Sequence, residues 1–100
     1  MKREVFNKLV ENICKICEIT KEQLFSKSKI RKSVDARHLL YHTCKQRNMK
    51  LVTIQGYMND NGYTINHSSI IHGINVVEEN ISHDSDYITI TNQIQECSAL

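Results

Sequence analysis

The sequence predicts an all-α fold, a compact bundle of five to six helices in one domain over residues 1–100. Three observations carry that expectation. Apolar residues recur at three-and-four spacing through most of the chain, the rhythm of one helix face. There is no proline and there are only three glycines, which leaves little material for β-turns or flexible linkers. Finally, Ser, Thr or Asn stands ahead of several apolar-periodic runs, as helix N-caps do.

Residues 2–18 put Val5, Phe6, Leu9, Val10, Ile13, Cys14 and Cys17 on one face, a first helix. Thr20 and Gln23 have the capping-box spacing, so a short second helix opens there. "SKSKIRK" reads as a polar basic loop. Ser33 is the expected N-cap of a third helix, "VDARHLLYHTCKQRN", with Asp35 in its first turn and Val34, Leu39, Leu40 and Cys44 facing inward. "LVTIQGYMND" is a short fourth helix closed by "NDNG", whose Asn and Gly tolerate turn conformations. The fifth helix begins near Asn66 and carries Ile70, Ile71, Ile74, Val77 and Ile81 on one face. The last segment is mixed: "ITIT" favours a strand, whereas Tyr87, Ile90, Ile94 and Cys97 recur at helical spacing. The expectation is a helix with a frayed end.

The net charge of +2 conceals a segregation. Residues 27–50 hold eight cations (Lys27, Lys29, Arg31, Lys32, Arg37, Lys45, Arg47 and Lys50) against Asp35 alone, a net +7. Residues 51–100 hold six acids and no Lys or Arg, a net −6. One electropositive segment in mid-chain points to a polyanionic partner. Apolar runs are too short for a membrane span or a secretory leader. With no leader expected, Cys14, Cys17, Cys44 and Cys97 read as reduced thiols behaving as small hydrophobes, which points to the cytoplasm.

Two short helices joined by a turn, after a basic helix, outline a helix-turn-helix that reads double-stranded DNA. In that motif the first turn of the second helix reaches base edges in the major groove. Here that turn is Asn66-His67-Ser68-Ser69, four hydrogen-bonding side chains without a cation. Plainer roles stand beside this one. Asn66 and Ser68 are also N-cap candidates, and His67 falls about 60° from Ile70 on a wheel of 100° per residue, within the apolar stripe. His72 reads as a solvated polar residue.

"SKSKIRKSVDARHLL" followed by "HSSIIHG" resembles the C-terminal DNA-binding domain of the bacterial replication initiator DnaA, over about residues 12–81. The resemblance implies a basic-loop arginine, here Arg31, entering the minor groove. It implies DNA contacts from Arg37 and His38 at the start of the long helix. It also implies base contacts from Asn66, His67, Ser68 and Ser69 in the major groove. Lys27, Lys29, Lys32 and Lys45 would then hold phosphates. The departures are specific. The family's Gly-Gly-Arg is missing, "NDNGYTIN" lengthens the turn by about four residues, and Asn66, His38 and Ala36 replace Asp, Gln and Pro. The target sequence therefore need not be the family's own.

There is no GxxxxGK[ST] loop, so neither ATPase activity, a bound nucleotide nor any other cofactor is expected, and no catalytic constellation can be assembled. A freestanding domain of this kind resembles something a phage or mobile element carries, acting in the host cytoplasm on replication or transcription. A second copy of the chain, or a host replication or transcription protein, is a candidate partner. Two other readings stay open. Cys14-x-x-Cys17 and His38-x-x-x-His42 have zinc-ligand spacings, although both pairs fall in amphipathic helices. Alternatively, the chain is a protein-interaction module that docks through its acidic second half and no longer binds DNA.

Overall fold

Residues 2–97 of the computed structural model are described, and every element among them is a helix: α1 (Lys2–Cys17), α2 (Lys21–Leu24), α3 (Arg31–Gln46), α4 (Leu51–Asp60), α5 (His67–His83) and α6 (Ser85–Cys97). The all-α bundle is thus as expected. Helix α3 is its axle, packing against each of the other five. It buries Ala36, Leu39, Leu40, Tyr41 and Cys44 among Phe6, Leu9, Val10 and Ile13 of α1 and Ile70, Ile74 and Val77 of α5. Cys14 and Cys17 are only half-buried at the edge of this core. Thr43 sits in mid-core because its hydroxyl donates back to the carbonyls of Leu39 (2.9 Å) and Leu40 (3.1 Å), which satisfies its one polar group.

The approach of α5 to α3 depends on Gly73. A Cβ there would lie 2.8 Å from both His38 Cδ2 and Tyr41 Cδ2, so only a bare α-carbon lets the two helices come this close.

The helix ends follow local chemistry. Thr20 and Gln23 form the expected reciprocal capping box, at 3.1 and 2.9 Å. Helices α1, α3 and α4 each stop at a left-handed residue, Glu18, Asn48 and Gly62. In each case the next amide reaches back to the last turn: Ile19 to Cys14, Met49 to Cys44 and Tyr63 to Met58. The α6 segment is helical, with Ile94 buried and Tyr87 and Ile90 partly so. Its expected frayed end and the Cys97 side chain lie outside the described residues.

One boundary differs from expectation. Helix α3 starts at Arg31, and Ser33 is not its N-cap but a buried residue in the first turn. Ile30 occupies the cap position without a side-chain hydrogen bond, and Asp35 falls in the second turn, 3.4 Å from Arg31. The preceding loop decides this. Its carbonyls are gathered onto the Arg37 guanidinium, and the Ser28 hydroxyl accepts the Ile30 amide at 3.2 Å, so the chain enters the helix three residues early.

Candidate nucleic-acid interface

Arg37 builds the basic loop. Its guanidinium donates to the carbonyls of Leu24 (3.0 Å), Ser26 (2.8 Å) and Ser28 (2.6 Å), and the residue is only 5% exposed. The guanidinium expected to touch DNA is thus buried against the loop backbone, where it gives the loop carbonyls their partners while also lining the groove beside α5.

The loop is itself tied to the turn between α4 and α5. Tyr63, in the turn between α4 and α5, lies between two cations: Lys27 Nζ stands 3.9 Å from its ring centroid and Arg37 Cζ 5.1 Å. Lys27 Nζ also donates to the carbonyl of Thr64, two residues before the N-cap of α5. Part of the Lys27 ammonium is thus used internally, and it positions the loop beside the turn as well as adding charge.

At the α5 tip the expected residues come together and remain exposed. Asn66 is the N-cap, its Oδ1 accepting the Ser69 amide at 2.8 Å. The capping and ligand-facing roles are compatible, because Nδ2 takes no part in the cap. His67 is exposed rather than seated in the apolar stripe, since the first helical residue projects past the core. Its Nε2 meets Gln55 Oε1 of α4 at 3.0 Å, and Gln55 Nε2 donates to the carbonyl of Ile65 at 2.8 Å. Ser68 and Ser69 complete the exposed turn.

Between the tip and α3 runs an open groove of about 390 Å³ whose walls include Val34, His38, Tyr63, Asn66, Ser69 and His72. Val34 lines this groove instead of facing the core. A neighbouring concavity joins Lys27 to Asn66 and Ser69. His38 is half-buried, its ring edge-on to that of His72 at 5.7 Å. Burial, and then the neighbouring His72, hold His38 below the ordinary histidine pKa and favour its neutral form.

Not every expected cation shares this side. Arg31, expected in the basic loop, is instead the first residue of α3; it is 90% exposed, and Lys29 is exposed as well. Lys32 stands about 160° around α3 from Val34 and lies 4.0 Å from Glu18 at the end of α1. It faces α1 and α6 rather than the groove. The zinc spacings gain nothing: among the described residues no group of three or more His, Cys, Asp or Glu could hold a metal ion. Nor is any described helix long and apolar enough to cross a membrane.

Gln55, Tyr63 and the His38–His72 contact do not figure in the sequence reading. Gln55 looks like any polar residue on a short helix. Tyr63, an aromatic among the turn residues "NDNGYT", is the one signal that could have been followed. No protein family, curated protein or solved structure gives a significant match to this chain.

Proposed function

We propose that this protein binds double-stranded DNA with sequence preference, as a counterpart of the DnaA C-terminal domain, and that it regulates replication or transcription through that binding. The basic loop with Lys29, and Arg31 at the start of α3, lie along a phosphate backbone and the adjoining minor groove. The first turn of α5 enters the major groove with Asn66, His67, Ser68 and Ser69. Arg37, Tyr63 and Lys27 hold the two contact regions in register.

The observation that carries this reading is the bond from Lys27 to Thr64 together with the stacking on Tyr63. Through it a cationic loop and an uncharged, hydrogen-bonding helix tip flank one side of the molecule. That division of labour, charge for phosphates and neutral polar groups for bases, is how duplex readers gain affinity and specificity separately. Selection of bound sequences from a random duplex pool tests it. Enrichment of a defined site, with affinity falling at about −0.9 in log–log slope per phosphate neutralised, is expected.

A second reading draws on the other half of the chain. Helices α5 and α6 carry no Lys or Arg and expose Ile71 and Ile88, 43% and 44% accessible, among acids. That surface suits a basic protein partner. No enrichment and a flat salt dependence would favour it.

A further inference from the structure

Gln55 lies on α4, outside every contact named for DNA, yet it determines which atom of His67 faces outward. A backbone carbonyl can only accept, so the Gln55 side-chain nitrogen must be the atom that meets the Ile65 carbonyl at 2.8 Å. Its oxygen is thereby turned to His67, 3.0 Å from Nε2. That oxygen too can only accept, so the imidazole carries its proton on Nε2. In the neutral ring Nδ1 is then a bare acceptor. No hydrogen bond to Nδ1 is formed among the described residues, and His67 is exposed.

We infer that Gln55 is a specificity-determining positioning residue: it fixes His67 in the Nε2–H tautomer, so that Nδ1 accepts a hydrogen bond from the exocyclic amino group of an adenine or cytosine in the major groove. This rests on the DNA-binding reading and assigns its ligand chemistry at one position. In the major groove only adenine N6 and cytosine N4 offer donors, while guanine and thymine present acceptors that would face Nδ1 with a second lone pair. The neighbouring residue is fixed in the opposite sense. Asn66 turns its oxygen to the Ser69 amide, which leaves the Nδ2–H donors to be presented outward. A donor and an acceptor thus stand side by side at the tip, each set by a bond made behind it.

Two measurements test the inference. Long-range proton–nitrogen correlation of the imidazoles, at mildly alkaline pH on the free protein, reads the tautomer directly. It should show His67 as Nε2–H in the wild type and as a tautomer mixture in Gln55→Met. A wild-type His67 protonated on Nδ1 overturns the inference without touching the DNA reading. In the selected duplex, the base facing His67 should be adenine or cytosine. If it is adenine, replacement by purine, which lacks the amino group, should weaken binding roughly tenfold, while 7-deazaadenine should not. If it is cytosine, the 4-deamino analogue should give the same loss. A guanine or thymine there, or equal binding of the amine-free analogue, overturns the inference while DNA binding stands. Absence of any duplex binding removes both. The wild-type spectrum and the modified duplexes need no variant, so the test survives poor folding of Gln55→Met.

Discussion

The Arg37 guanidinium and the Ser28 carbonyl, nine positions apart in the chain, meet at 2.6 Å. A residue that looks like part of the binding surface is in fact the frame on which that surface is bent. Several consequences for stability and binding can be measured.

Replacing Arg37 by Ala strands three loop carbonyls inside the fold. Charged hydrogen bonds contribute about 1.5–3 kcal/mol each at most and are not additive, so a loss of roughly 3 kcal/mol is expected. Urea unfolding measures it. Arg37→Lys should recover only part of the loss, because a single ammonium cannot reproduce the planar fork that reaches Leu24, Ser26 and Ser28 together. DNA affinity should fall with both variants, through disorder of the loop.

Gly73→Ala weighs two opposed effects. Alanine favours a helix interior by about 1 kcal/mol over glycine. Here its Cβ would press on the His38 and Tyr41 rings at 2.8 Å, and Tyr41 is only 2% exposed. Overpacking of this kind costs typically 1–3 kcal/mol, so a net loss is expected, read as a melting temperature lower by several degrees. An unchanged or higher value would mean that α3 and α5 can separate freely.

Histidine burial predicts the pH dependence of stability. His38 is lowered by burial and then by His72, against an opposing effect of Asp35, and Arg37 lowers it further. His42 is lowered by burial, against an opposing effect of Glu78. Both side chains therefore bind protons more readily in the unfolded chain. Stability from this source is complete above the unfolded histidine pKa of about 6.5 and is lost as pH falls below it toward the folded values. The urea midpoint should hold near neutrality and decline on acidification. His42→Gln should flatten part of that decline.

Arg31 is mostly solvent-exposed and, among the described residues, forms its ion pair with Asp35 alone, so Arg31→Ala should leave the urea midpoint nearly unchanged. In binding it should lower affinity, reduce the salt slope by about one phosphate's worth and relax preference for A·T pairs. His67→Ala combined with Ser68→Ala should act differently, reducing specific toward non-specific affinity by about 1–3 kcal/mol per good contact. Fluorescence anisotropy over a salt series separates the two patterns.

What could be read from the sequence was what neighbours in the chain decide. The capping box at Thr20, the limits of α4 and the Asn66 cap are all set within a few residues. The start of α3 was not legible, because it depends on an arginine side chain drawing in carbonyls nine to thirteen residues earlier. The exposure of His67 escaped a helical wheel, which assigns faces but does not know where the core ends. The tie between the basic loop and the α5 tip joins Lys27 to Thr64, 37 positions apart, and no local pattern announces it. Nor does the placement of Lys32 on the α1 side follow from counting charges.

The most direct measurement follows backbone amide shifts of the labelled protein as a selected duplex is added. Amides of residues 27–31 and 66–69 are predicted to shift together and saturate at one stoichiometry. If instead the duplex moves only the α1 and α6 surface around Lys32, or perturbs the loop while leaving the α5 tip untouched, the two regions do not engage one ligand and the account is wrong.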